Sequence, residues 1–138
     1  MGYQIVPIEA GSGLTAGANF VVKTATDSGT KVAQLQATTT GQDTLGILLN
    51  NPSAGEVAQV CIEGWCLAKA SAAITPFDYV ACHTDSKVIG ASGANVVIGQ
   101  YIPQPDSGGT ISSSDCAAGD LIRIYVSARK LHPYNAAG

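Results

Sequence analysis

The sequence predicts an all-β domain, and three observations carry that prediction. Apolar residues come in short runs separated by Gly, Pro, Asn, Asp and Ser, which is strand spacing rather than helical spacing. Lys31-Val32-Ala33-Gln34-Leu35-Gln36 and Leu121-Ile122-Arg123-Ile124-Tyr125-Val126 alternate with a period of two, as half-buried strands do. Glycine occurs 16 times in 138 residues, above the ordinary share of about 7%, and supplies many turns.

The elements follow in order. Tyr3 to Ile8 alternates like an edge strand. Phe20 to Thr24 and Lys31 to Gln36 bracket Asp27-Ser28-Gly29, a hairpin turn in which Gly accepts positive φ without steric cost. Leu45 to Leu49 is continuously apolar and suits a central strand, and Asn50 to Gly55 is a second turn. Val57 to Glu63 and Trp65 to Ala68 are two further strands, parted at Gly64. The alanine-rich Leu67 to Ile74 is the one helical alternative, cut off by Pro76. Tyr79 to Cys82, Val96 to Tyr101 and Leu121 to Ser127 complete the strands, and Pro103 to Asp115 is the longest loop. Three segments, Leu14 to Val21, Ile74 to Val80 and Cys116 to Ile122, each place a small-residue turn before a strand. An Asp or Asn just before the apolar pair closes such a turn by accepting a backbone N–H, and repeated hairpins of this kind predict a small barrel or sandwich.

At ~100 to 200 residues per domain the chain makes one domain, here residues 14–128. Residues 1–13 form an N-terminal arm or edge strand, and residues 129–138 a C-terminal tail. Charged residues are only 12% of the chain, against about 25% in an average domain, so the surface is unusually uncharged. The net charge is −3 and the basic residues stand singly except for Arg129 and Lys130, which disfavours nucleic acid as a partner. No apolar run approaches the ~18 residues of a membrane span. The first basic residue is Lys23, so the chain lacks the charged start of a secretory signal and is expected to be made in the cytoplasm.

Catalytic motifs fail on spacing. Cys61, Cys66, Cys82 and Cys116 lack the close pairs of a zinc site and read as buried small hydrophobes, with disulfides the alternative. Cys82 and His83 adjoin on a strand and point to opposite faces, so they do not make a nucleophile and base. His132 lies in a polar tail, and Gly90-Ala91-Ser92-Gly93-Ala94 misses the nucleophile-elbow pattern at its last position, leaving a hydrolase using Cys82 or Ser92 without support. Scattered carboxylates and the lack of a calcium loop leave no metal or cofactor to expect. Trp65, the sole tryptophan, reads as a core plug or as an exposed anchor at a subunit contact. The residues themselves reach a β-rich assembly or binding domain.

The run Leu45-Gly46-Ile47-Leu48-Leu49-Asn50-Asn51-Pro52-Ser53-Ala54-Gly55-Glu56, followed by Val57 to Gly64, resembles the small capsid decoration, or cement, proteins of tailed bacteriophages. Ile74 to Val80, Val97-Ile98-Gly99 and Gly119-Asp120-Leu121-Ile122 follow in the family's order. Phe77 departs from the pattern by standing where the family has its turn glycine, so the turn there is expected to differ.

The resemblance implies a β-tulip-like barrel with extended arms that binds the outer surface of the expanded head and braces neighbouring capsomers, without catalysis. The implied partners are the major capsid protein and further copies of the chain in a homotrimer, with the protein located on the virion. The candidate capsid or subunit contacts are Tyr3 and Ile5 at one end, Arg129, Lys130, His132 and Tyr134 at the other, and Trp65 between them. The rival is an adhesive or carbohydrate-binding domain, such as a head fibre, in which Trp65, Tyr79 and Tyr101 form an aromatic platform.

Overall fold

The computed structural model describes residues 4–35, 44–93 and 95–127. The chain is all-β, a single small domain whose antiparallel sheet curls into a half-barrel. Its strands are β1 (Gln4–Glu9), β2 (Val21–Asp27), β3 (Thr30–Leu35), β4 (Gly46–Leu48), β5 (Val57–Lys69), β6 (Tyr79–Cys82), β7 (Val88–Gly90), β8 (Gly99–Tyr101) and β9 (Leu121–Ser127). They run in the order β3-β2-β4-β5-β9-β8-β6-β7, with β1 added on β5. Residues 4–9 of the N-terminal segment pair antiparallel with β5.

The long strand β5 organises the sheet. Val60 and Cys61 pair with Leu48 and Ile47 of β4 and also with Val6 and Ile5 of β1, so the first half is flanked on both sides. The second half pairs with β9, from Glu63↔Ser127 to Lys69↔Leu121. The register with β1 shifts between Gln4 and Ile5, opposite Glu63 and Cys61, and Gly64 follows at φ 115, so the side-chain alternation changes phase between Cys61 and Gly64. Before Gly64 the even residues Ala58 and Val60 enter a smaller core with Ala10, Leu14, Val22, Ala33 and Leu48. After it, the even residue Ala68 joins the larger core, alongside Cys61, Ile47, Val80, Ile98, Ile122, Ile124 and Val126, with Cys66 packed against it. Leu45 to Leu49 is apolar throughout because Ile47 faces one core and Leu48 the other.

The sheet edges are bound by the chain's own backbone. Val88 of β7 forms a parallel bridge with Ala70, and Ser71 N–H donates to its carbonyl at 2.8 Å. At the other edge Ala33 of β3 bridges Ala10 and accepts from Gly11 N–H at 2.9 Å.

Four strands begin from one turn geometry. Phe20, Glu56, Asp78 and Asp120 donate their N–H to the carbonyls of Gly17, Ser53, Thr75 and Ala117, three residues back. The third residue of each turn has positive φ: Asn19 at 73, Gly55 at 87, Phe77 at 73 and Gly119 at 91. These are type II turns, with Pro76 in its favoured second position. Glu56 and Asp120 also reach back with a carboxylate to accept the N–H of Ser53 and Ala117. The repeated segments are therefore repeated turns, and Phe77 keeps the glycine-type backbone rather than altering it. The β2–β3 hairpin turns through Ser28 and Gly29, both at positive φ, as a type I′ turn requires.

Three sequence expectations are corrected. Val57 to Ala68 is one bulged strand, not two, and its ladder with β9 overrides the helical alternative at Leu67 to Ile74. Val88–Gly90 is an additional strand. Of Val96 to Tyr101 only Gly99–Tyr101 is strand.

Candidate contact face

The alternation that fills the larger core fixes what lies on the opposite face. Ile122, Ile124 and Val126 point inward from β9, Ala68 from β5, Tyr101 from β8, and Val80 and Cys82 from β6. Trp65, Leu67 and Lys69, then Leu121, Arg123 and Tyr125, then Gln100 and Tyr79 are consequently on the outer face. Register aligns them in rows: Trp65 opposes Tyr125, Tyr125 opposes Gln100, and Gln100 opposes Tyr79, a continuous line across four strands. Leu67 opposes Arg123 and Lys69 opposes Leu121 in the rows beside it.

Arg123 ties this face together. Its guanidinium lies over the Trp65 ring, 4.2 Å from the centroid, and Trp65 meets Tyr125 edge-on at 5.1 Å. Arg123 Nε donates to the Ile102 carbonyl at 3.1 Å, Nη1 to Gln104 Oε1 at 3.0 Å and Nη2 to the Pro103 carbonyl at 3.3 Å. The start of the long loop is thereby fastened to the sheet, and Asp106 Oδ1 closes its next turn by accepting from Gly108 and Thr110 N–H. Lys69 sits over the Phe20 ring at 5.5 Å. The outward positions of these strands thus carry the two cations Lys69 and Arg123 and one carboxylate, Glu63 opposite Ser127, beside Leu67 and Leu121 exposed at 46% and 52%.

The structure separates the residues the sequence singled out. Trp65 is half-buried on the outer face and is not the core plug. Ile5 is exposed on β1, at the other half of β5. Tyr3, Arg129, Lys130, His132 and Tyr134 lie outside the described residues. Tyr101 is 8% exposed in the larger core and cannot join an aromatic platform; Tyr125 holds that place instead. Alternation puts Tyr125 and Arg123 on one face in the sequence, but only the register across β5 and β9 brings them to Trp65.

No catalytic geometry arises from the candidate nucleophiles. Cys82 is buried in the larger core and donates to the His83 carbonyl at 3.1 Å; burial, followed by the nearby Asp85 charge, pushes its thiol up to about 12. Ser71 Oγ donates straight to Asp85 Oδ2 at 2.8 Å, without a histidine between hydroxyl and carboxylate, so the pair holds the β6–β7 turn. Ser92 N–H donates to Asn95 Oδ1 within a turn. All four cysteines are unbridged thiols; Cys61, Cys82 and Cys116 are buried, and Cys66 is half-buried against the core. Among the described residues no group of three or more His, Cys, Asp or Glu side chains is placed to hold a metal ion.

No family model matches the chain, and no curated protein sequence matches it. Among solved structures the chain is similar to the head fiber gp8.5 N base of bacteriophage phi29, with a TM-score of 0.65 at 13% identity. The match covers 94% of this chain and 99% of that one, so the likeness is of the whole fold rather than of a shared motif.

Proposed function

We propose that this is a structural virion protein that binds the outer surface of a phage head through the β5–β9 end of its outer face. The carrying observation is the end-to-end likeness to the phi29 head fiber base, which agrees with the resemblance of Thr44 to Gly64 to capsid decoration proteins. The partner is the major capsid protein of the expanded head, and the protein sits on the head exterior after synthesis in the host cytoplasm. Leu67 and Leu121 supply the apolar centre of the contact, Trp65 its aromatic anchor, and Lys69 and Arg123 the charge that favours an acidic shell surface. Copies assemble as a homotrimer, so that modest contacts add as avidity. The terminal residues Tyr3, Arg129, Lys130, His132 and Tyr134 extend the contact, with Ile5 at the base of the N-terminal segment.

Sedimentation of the protein with expanded heads tests this reading. The wild-type chain should pellet with the heads, and Leu67→Asp with Leu121→Asp should release it while leaving the folded monomer's circular dichroism unchanged. Equal pelleting of the double variant would refute the assigned face. Light scattering that gives only monomer on and off the heads would refute the trimer.

A further inference from the structure

We propose that the β6–β8 end of the outer face, built from Phe77, Tyr79 and Gln100, is a binding site for neutral oligosaccharide. This inference stands apart from head binding, which uses the opposite end of the face.

Phe77 is the starting observation. It occupies the left-handed region at φ 73, where a phenylalanine costs roughly 1 to 3 kcal/mol and a glycine almost nothing. Its ring is nevertheless half exposed, so core packing does not account for the strain. The backbone is fixed around it: Phe77 N–H donates to the Tyr101 carbonyl at 2.6 Å, and its own carbonyl accepts from Gln100 Nε2 at 2.9 Å. Asp78 N–H donates to Thr75, and Tyr101 N–H to Asp78, closing the turn on both sides. The backbone at this strained position is thus held on both sides, and it carries an apolar ring that is half exposed to solvent.

Two further groups stand beside it. Tyr79, also half exposed, lies directly across from Gln100, whose other neighbour in the row is Tyr125. The order is therefore ring, amide, ring at strand spacing, with Tyr79 and Tyr125 about 9.5 Å apart in strand separation. The amide is anchored through one N–H and has its oxygen and second hydrogen available for hydroxyl groups.

The occupant follows from this chemistry. A pyranose presents an apolar C–H face, which stacks on an aromatic ring, and rim hydroxyls, which pair with a planar amide. Successive rings of an extended chain repeat that alternation. Phe77, Tyr79 and Gln100, which build this end, carry no ionised side chain, which suits an uncharged ligand. A shallow sheet face with rings on either side of an amide suits a flat sugar chain better than a peptide, which needs backbone partners that this interior part of the sheet already uses.

The test is an array of immobilised neutral glucans, mannans, galactans and N-acetylhexosamine oligomers probed with the full chain. Binding of at least one class in the micromolar to millimolar range is expected. Tyr79→Ala and Phe77→Gly should each weaken it about tenfold, the worth of one ring contact. Phe77→Gly relieves the strained φ, so its loss of binding cannot be ascribed to unfolding, and both variants should still pellet with heads. No binding to any array member overturns the proposal, as does binding that both variants retain. Loss of head pelleting in Tyr79→Ala with no glycan bound by the wild type would also overturn it, by assigning this end to the shell contact.

Discussion

Replacing Arg123 by alanine tests the structural logic of the outer face most severely. Three hydrogen bonds from one charged donor fasten Ile102, Pro103 and Gln104, and the guanidinium covers Trp65. The bond to Ile102 is part-buried and well formed, whereas that to Pro103 is long at 3.3 Å and that to Gln104 is exposed. Hydrogen bonds from charged groups contribute about 1.5 to 3 kcal/mol when sheltered and far less in water, and a half-sheltered ring contact adds about 0.5 to 1 kcal/mol. Arg123→Ala should therefore lose about 3 kcal/mol, read as a lower urea midpoint at unchanged slope and a fall in Tm of about 10 °C. Arg123→Lys keeps the charge but not the fork, and should lose about 2 kcal/mol. A double-mutant cycle with Trp65→Ala should isolate about 0.5 to 1 kcal/mol of coupling. A loss below about 1 kcal/mol for Arg123→Ala, or a lysine variant equal to wild type, would refute the claim that this side chain clamps the loop to the sheet.

Further predictions concern the backbone, the acid limb and the thiols. Gly46→Ala would place a methyl group against the Cys61 carbonyl of the paired strand, and should cost more than about 4 kcal/mol, seen as loss of the β-sheet circular dichroism signal. Burial pushes the Asp85 carboxyl up, but the Ser71 hydroxyl, the Lys87 N–H and the His83 and Lys87 charges together outweigh it and hold the group below its ordinary 3.8. A lowered folded pKa stabilises above the unfolded value and is lost as pH falls through the folded one, so Ser71→Ala should reduce the drop in urea midpoint between neutral pH and about pH 3. Cys82, buried and pushed up to about 12, should resist a disulfide reagent at mildly alkaline pH until the chain is unfolded; rapid native labelling at Cys82 would contradict its placement.

Local sequence rules read the strands well wherever one strand has one pattern. Leu121 to Val126 alternates because one face meets the larger core and the other meets solvent, and Leu45 to Leu49 does not alternate because it has a core on each side. The rules fail between Cys61 and Gly64, where a register shift resets the alternation inside a continuous strand and the two phases read as two elements. They also failed for Val88–Gly90, which is too short to show any period. The alanine-rich Leu67 to Ile74 reads as helix by propensity, yet Ala68 and Ala70 are small because they lie in a crowded core.

The candidate face was less legible than the fold. Trp65 stood out as the only tryptophan, but its partners Arg123 and Tyr125 are about 60 residues away in sequence and meet it only through the β5–β9 register. Tyr101 and Tyr125 are alike as residues in apolar runs, and the strand parity that buries one and half-exposes the other depends on where each strand enters the sheet. Phe77 departs from a glycine pattern in the sequence, while the left-handed backbone that gives the departure its meaning is a property of the folded turn.

Cryo-electron microscopy of expanded heads that lack this protein, incubated with the purified chain, tests the central claim most directly. The account predicts ordered density on the head exterior that fits the half-barrel with Trp65, Leu67 and Leu121 turned toward the shell. Heads that remain bare after incubation with folded protein at saturating concentration would contradict it.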